Sequence, residues 1–131
     1  MIPASQETPS LDYDVLVVED DDDCREVLSS LLCDEGYRVK TAASGAEALD
    51  ALARMSGPPR LLLLDLIMPG MSGFEFLRAM RRAPLLARVP VVVHSGLGED
   101  PALDPPPGIT CWLRKPVQID ALLNVTRQLT K

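Results

Sequence analysis

No apolar run in the 131-residue sequence approaches the ~18–20 residues that a membrane-spanning helix needs, so we expect no membrane segment. The opening stretch, MIPASQETPSLDYD, lacks the basic region and the apolar region of a secretory signal peptide. Basic residues are also scarce: 13 Lys and Arg stand against 19 Asp and Glu, which gives a net charge of −6. This balance argues against direct nucleic-acid binding, which needs a basic face.

Cysteine is scarce as well, with Cys24, Cys33 and Cys111 the three examples. They form no CxxC pair and do not have the spacing of a metal-binding motif, and their odd number argues against a disulfide framework. We therefore expect free thiols in a reducing compartment. Together with the missing signal peptide, this predicts a cytoplasmic location.

The sequence does contain a regular alternation of short apolar runs with segments of helical period. Strands are predicted at 14–18, 37–41, 60–65, 89–95 and 109–114. Helices are predicted at 22–35, 45–55, 73–83 and 117–130. Strands separated by helices indicate parallel crossovers, so the predicted fold is α/β, a doubly wound five-stranded parallel sheet with helices on both faces.

Two segments interrupt this alternation. Residues 1–12 are polar and lack periodicity, so we interpret them as a flexible lead-in to one domain at 13–131. Between the fourth and fifth strands stands GLGEDPALDPPPG, where a further helix is expected. Its prolines lack an N–H donor and clash with the preceding turn, so this fourth helix is predicted to be short, irregular or missing.

Polar residues cluster at the carboxyl ends of the predicted strands, where ligands bind in open α/β sheets. They are Glu19, Asp20, Asp65, Ser95 and Lys115. Three carboxylates repel one another unless a cation lies among them, and Mg²⁺ prefers such oxygen ligands. Asp65 would then be a nucleophile toward phosphorus, while Lys115 and the Ser95 hydroxyl would stabilise charge on the phosphoryl oxygens.

The segments that carry these residues are LVVEDD, LLLLDLIMPGMSGFEF, PVVVHSG and WLRKP. In this order and spacing they resemble the receiver domain of two-component response regulators, over residues 14–130. The resemblance implies a flavodoxin-like sheet with strand order 2-1-3-4-5. It also implies that Asp65 is the phosphoacceptor and that Lys115 is the family's invariant lysine.

The same resemblance implies a magnesium site and a switch. Mg²⁺ would be held by Glu19, Asp20 and Asp65, with the backbone carbonyl of Ile67 as a further ligand. Ser95 would be the switch hydroxyl, and Trp112 would stand at the position of the switch aromatic residue.

The implied function is phosphoryl acceptance in a His-Asp phosphorelay. A histidine kinase or a phosphotransfer protein would donate the phosphoryl group to Asp65. The modified domain would then change its binding to a downstream protein, which the sequence does not identify. Such a domain is not an enzyme acting on a separate substrate, because it catalyses only its own phosphotransfer and dephosphorylation.

Two other functions are compatible with parts of the sequence. The altered fourth-helix region favours a pseudo-receiver, which is a protein-interaction module independent of phosphorylation, although the residues at 95 and 115 argue against it. A phosphohydrolase of the haloacid-dehalogenase type also uses an aspartate nucleophile after a buried strand. Such enzymes have a D-x-D motif, whereas Ile67 occupies the second Asp position here, so this alternative ranks last.

Two features near the predicted site are interpreted as structural. Asp21, Asp22 and Asp23 stand at a helix start, where acidic side chains stabilise free N–H groups by ~0.3–1 kcal/mol each. His94 is the only histidine, but strand alternation points it away from Ser95 toward a helix layer. We therefore expect a buried packing role for His94 rather than acid–base catalysis.

Overall fold

A computed structural model describes residues 13–95, 109–114 and 117–130 of the chain. The strands are β1 (Val15–Val18), β2 (Val39–Ala42), β3 (Leu61–Asp65), β4 (Val91–Ser95) and β5 (Ile109–Arg114). The helices within these ranges are α1 (Asp22–Asp34), α2 (Gly45–Arg54), α3 (Gly73–Met80) and α4 (Ile119–Leu129). All neighbouring strands are parallel, in the order β2-β1-β3-β4-β5, so the predicted α/β fold and strand order are confirmed.

Some of the sequence predictions fall outside the described residues. The lead-in at 1–12 is one of them. The short, irregular or missing helix between β4 and β5 is another, because it belongs to residues 96–108. Lys115 is a third. Among the helices that the structure describes, none is long and apolar enough to cross a membrane.

The central strands are buried on both faces, and alternate residues contribute to two separate apolar clusters. One cluster lies between the sheet and helices α2 and α3, and its members include Leu16, Val18, Leu62, Leu64, Phe76 and Met80. The other lies toward α1 and α4, and includes Val15, Val17, Leu61, Leu63, Leu32 and Leu122. The continuous apolar runs of β1 and β3 therefore follow from their position between two helix layers.

Three helices begin where a side-chain oxygen accepts one of the free N–H groups of the first turn. Asp21 accepts from the backbone N–H of Cys24, and Ser44 accepts from that of Glu47. Ser72 forms a reciprocal capping box with Glu75 at the start of α3. These caps fix the helix starts close to the carboxyl ends of the strands.

Several predicted boundaries differ from the observed ones by one to three residues, and for two of them local hydrogen bonding gives the reason. Strand β2 begins at Val39 rather than at residue 37, because the Arg38 N–H donates to the Asp14 carboxylate instead of to a neighbouring strand. Helix α3 ends at Met80 rather than at residue 83. The N–H groups of Arg82 and Ala83 donate to carbonyls three residues back, and Pro84 disfavours a helical conformation in the residue before it.

Asp14 joins three segments at the amino-terminal edge of the sheet. Its Oδ2 accepts the Arg38 N–H at 2.8 Å, and its Oδ1 lies 3.4 Å from Arg38 Nη2 and 3.8 Å from Arg60 Nε. Burial raises the pKa of this carboxyl group. The hydrogen bonds from Arg38 and the charges of both arginines outweigh burial and hold the pKa below its ordinary value of 3.8.

A carboxylate with a lowered folded-state pKa contributes stability above its unfolded pKa, and that stability is lost as the pH falls through the folded pKa. We expect Asp14→Asn to lower the free energy of unfolding by about 1 kcal/mol near neutral pH. Urea titrations of both proteins should show this gap closing below pH 3.8. A gap of the same size at neutral and acid pH would contradict the prediction.

Candidate functional site

Three carboxylates meet at the carboxyl edge of the sheet. Glu19 and Asp20 follow β1, and Asp65 ends β3, the strand beside it. One carboxylate oxygen of each residue lies within 4.8 Å of the others. Glu19 is fully buried and Asp65 is 3% exposed, whereas Asp20 keeps contact with solvent. The structure thus brings together the three carboxylates that the sequence placed at strand ends, and we call them the carboxylate triad.

Strand register explains why these side chains meet. The pairing of Val18 with Leu64 places Glu19 and Asp65 side by side, one residue further along β1 and β3. Side chains alternate between the faces of a strand, so both belong to the face that carries Val17 and Leu63. That face is covered by α1, whose first turn begins immediately after the acidic pair.

Backbone N–H groups orient two of the carboxylates. Oε2 of Glu19 accepts the N–H of Asp21 at 3.0 Å, and Oδ1 of Asp65 accepts the N–H of Ile67 at 3.1 Å. The two N–H groups therefore hold these carboxylates in fixed orientations at a site that is largely removed from water.

Arg25 and His94 lie beside the triad. Arg25 Nη1 donates to the backbone carbonyls of Glu19 and Asp20, at 3.0 and 3.4 Å. His94 Nδ1 lies 3.5 Å from Oε1 of Glu19, and both side chains are fully buried. Strand alternation predicted that His94 would be buried, but its contact with Glu19 was not foreseen.

The loop after β3 packs closely behind Asp65. Leu66 is buried, whereas the Ile67 side chain is 54% exposed beside the triad. The N–H of Gly73 donates to the Leu66 carbonyl at 2.9 Å, which brings the start of α3 against the strand end. A Cβ atom added to Gly73 would lie 2.6 Å from Leu66 Cα and 2.7 Å from the Asp65 carbonyl oxygen, so only glycine fits here.

Ser95 and Trp112, the two predicted switch residues, lie on the neighbouring strands β4 and β5. Ser95 ends β4 and pairs in register with Arg114, but the position of its hydroxyl is outside what the structure describes. Trp112 pairs with Val93 and is partly buried against the cluster on the α2 and α3 side. Their predicted switch roles therefore stay predictions.

The carboxylate triad fits a hard divalent cation. Such ions take carboxylate oxygens as ligands, and Mg²⁺ binds through one or two carboxylates together with phosphate oxygens. Two of the three carboxylates are almost entirely buried, where repulsion between like charges is stronger than in water. A cation among them would offset that repulsion, and Asp65 would then be adjacent to any phosphate oxygens that the cation held.

Comparison with known proteins gives matches over almost the whole chain. Residues 15–127 match the response regulator receiver domain. An uncharacterized 14.6 kDa protein of the sodA1 3′ region from Leptolyngbya boryana is 36% identical over 117 residues, 88% of each chain. The transcriptional regulatory protein AfsQ1 of Streptomyces coelicolor is 38% identical over 86 residues. These are 66% of this chain but 36% of that regulator's length.

Solved structures with the same fold include receiver domains of histidine kinases. The receiver domain of the hybrid histidine kinase CckA has a TM-score of 0.75 and 35% identity, covering 89% of this chain and 98% of that one. The receiver domain of the sensor histidine kinase PA1611 from Pseudomonas aeruginosa PAO1 has a TM-score of 0.80 and 25% identity. It covers 90% of this chain and 97% of that one, and has a magnesium ion coordinated in its active site cleft.

Substitution at Gly73 tests the close approach of α3 to Asp65. We expect Gly73→Ala to lower the free energy of unfolding by ~1–3 kcal/mol, because the added methyl group meets backbone atoms. Gly45→Ala is a matched control, since Gly45 also follows a serine cap but faces the flexible Met71 side chain. Chemical denaturation should show the smaller loss in the control. Equal losses would contradict the proposed constraint behind Asp65.

Repulsion within the triad also predicts an unusual stabilising substitution. Asp65→Asn removes one negative charge and keeps an Oδ1 acceptor for the Ile67 N–H. In chelator-treated buffer we expect it to raise the free energy of unfolding by about 1 kcal/mol. Added Mg²⁺ should stabilise the wild type more than the variant, because binding to the folded state shifts the unfolding equilibrium.

Thermal unfolding with and without Mg²⁺ measures both effects. Asp50→Asn is the control, because Asp50 is an exposed carboxylate on α2 that pairs with Arg54. The control should respond to Mg²⁺ as the wild type does. A loss of stability in metal-free Asp65→Asn, or an equal response to Mg²⁺ in all three proteins, would contradict the prediction.

Proposed function

The chain belongs to the response regulator receiver domain family, and we propose that it accepts a phosphoryl group on Asp65 in two-component signalling. The observation that supports this assignment most strongly is the meeting of Glu19, Asp20 and Asp65 at one sheet edge. Asp65 is the member of this group that ends a central strand, held from behind by Leu66 and Gly73.

Mg²⁺ is the proposed cofactor, and when bound it would supply positive charge that offsets the charge of the triad and of the incoming phosphoryl oxygens. Glu19, Asp20 and Asp65 would hold it, with the backbone carbonyl of Ile67 as a further ligand. The magnesium ion in the receiver domain of PA1611 supports this choice of cation. The oxygen-only donor set of the triad supports it independently.

The proposed reaction is a transfer between two residues of different proteins. A carboxylate oxygen of Asp65 forms a bond to phosphorus, and the bond from phosphorus to the donor's imidazole nitrogen breaks. The nitrogen keeps the electron pair of the broken bond. The hydrogen bond from the Ile67 N–H to Oδ1 fixes the orientation of the carboxylate before attack, so less ordering is needed during the reaction.

Lys115 and Ser95 are proposed to act on the transferred group. The Lys115 ammonium would pair with a phosphoryl oxygen, and the Ser95 hydroxyl would donate a hydrogen bond to another. Movement of Ser95 toward the phosphoryl group would in turn change the packing of Trp112. This would be the switch that alters the binding of a downstream protein.

The proposed donors are a histidine kinase or a phosphotransfer protein, and the proposed location is the cytoplasm. The chain would turn over only its own phosphoryl group and would not bind nucleic acid or membranes itself. It spans 36% of the length of the transcriptional regulator AfsQ1, so that regulator has further parts that this chain does not match. The family membership favours this function over the phosphorylation-independent pseudo-receiver.

Phosphorylation by a small-molecule donor tests the proposal without knowledge of the kinase. We expect incubation with acetyl phosphate and Mg²⁺ to add one phosphoryl group, measured by intact-protein mass spectrometry. The adduct should be absent with Asp65→Asn and absent when a chelator removes the metal. Asp50→Asn, which removes an exposed carboxylate elsewhere, should be modified as the wild type is.

Two results would contradict this function. An adduct of equal yield on Asp65→Asn would place the modification on another residue. No adduct under any condition, together with no Mg²⁺ binding, would support the pseudo-receiver instead.

A further inference from the structure

A second group of metal-ligating side chains lies against the triad and shares Glu19 with it. The ligand atoms of Glu19, Cys24 and His94 all lie within 4.8 Å of one another. The three residues come from the end of β1, the first turn of α1 and the end of β4. Because they are far apart in sequence, no linear motif marks them, and the spacing of the cysteines along the chain could not have indicated this group.

Strand register places His94 in this group. His94 pairs with Asp65 across β3 and β4, and Asp65 lies beside Glu19. Because side chains alternate along a strand, those of Glu19, Asp65 and His94 all lie on the sheet face that α1 covers. Cys24 approaches from that helix, because Asp21 caps α1 and accepts the Cys24 N–H at 2.8 Å.

The donor chemistry of this group differs from that of the triad. A thiolate, an imidazole and a carboxylate are the ligands that Zn²⁺ and similar borderline cations take in proteins, at ~2.0–2.3 Å. Mg²⁺ prefers oxygen ligands alone. The two overlapping groups are therefore selective for different ions, with Glu19 acceptable to both.

The separation of the two buried ligands fits a metal-bound geometry. His94 Nδ1 and Glu19 Oε1 are 3.5 Å apart. This exceeds the ~2.7–3.2 Å of an ordinary N–H···O hydrogen bond. It is close to the ~3.4 Å edge of a tetrahedron with metal–ligand bonds of ~2.1 Å. Both side chains are fully buried, so packing holds them at this spacing.

Cys24 is the member of the group that lies next to solvent. Cys24 is partly exposed and lines an open groove of about 710 Å³ between α1 and the start of α4. Asp21 and Asp23 also line this groove. Their negative charge favours the approach of a cation from solvent.

We propose that Glu19, Cys24 and His94 bind a thiophilic divalent cation such as Zn²⁺. Binding releases the thiol proton of Cys24 to solvent, because the thiolate is the metal ligand. Since Glu19 cannot serve both groups fully, occupancy of this site withdraws a ligand from the triad. The two ions therefore compete, and this competition, unlike the binding itself, rests on the magnesium site of the proposed function.

Titration with Co²⁺, a spectroscopic substitute for Zn²⁺, tests the binding directly. The full chain with Cys33→Ser and Cys111→Ser retains Cys24 as its only thiol. We expect one equivalent of Co²⁺ to bind with a sulfur-to-cobalt charge-transfer band and the intense visible absorption of tetrahedral cobalt. Zn²⁺ should displace the cobalt and remove both features.

Substitution of Cys24 tests whether its thiol, rather than that of another cysteine, binds the metal. Cys24→Ser, added to the variant that already carries Cys33→Ser and Cys111→Ser, should abolish the sulfur band and weaken Zn²⁺ binding roughly tenfold or more. Cys33→Ser alone is the matched control, because Cys33 is an exposed cysteine on the same helix, and it should keep the band. Circular dichroism melts should confirm that each variant is folded. His94→Gln gives a second variant, in which the visible spectrum should change.

Two outcomes would overturn the proposed site, and a third would overturn only its competition with Mg²⁺. One is a sulfur band that survives Cys24→Ser introduced alone, with Cys33 and Cys111 still present. Another is metal binding without any sulfur band that is lost in Asp65→Asn, which would assign the ion to the triad. The third concerns the shared ligand: excess Mg²⁺ should weaken Zn²⁺ binding, and unchanged affinity would overturn the competition.

Discussion

Electrostatic repulsion between Glu19, Asp20 and Asp65 is the constraint on which the proposed function of this fold depends. The parallel pairing of β1 and β3 forces two of these carboxylates together, and the helix layer above them removes both from water. Burial makes like charges repel more strongly, so the site is poised to take up a cation. The burial of apolar side chains along β1 and β3 offsets this repulsion, because the two strands cannot separate without exposing the core.

Rigid packing around the triad holds the carboxylate of Asp65 in one orientation. β3 is buried along its whole length, and its last residue is held by the Ile67 N–H and by the close approach of Gly73. A carboxylate held in this way has little freedom to turn from its neighbours. The same packing places His94 beside Glu19, so one sheet edge carries donors for a hard cation and donors for a softer one.

The fold could be predicted from the sequence because its signals are local. Continuous apolar runs at β1 and β3 indicate strands between two helix layers, and strand ends in a parallel sheet share an edge. The start of β2 could not be predicted, because it depends on a hydrogen bond that the Arg38 N–H donates to the side chain of distant Asp14. The contact of His94 with Glu19 was missed for a similar reason: it depends on the register of three strands and on the helix above them.

Identification of the modified residue tests the central claim most directly. Borohydride reduces an aspartyl phosphate to homoserine, so the treated protein can be digested and sequenced by tandem mass spectrometry. After exposure to acetyl phosphate and Mg²⁺, the account predicts homoserine at position 65 and unmodified carboxylates at Glu19 and Asp20. Homoserine at position 20, or its absence throughout the chain, would contradict the assignment of Asp65 as the phosphoryl acceptor.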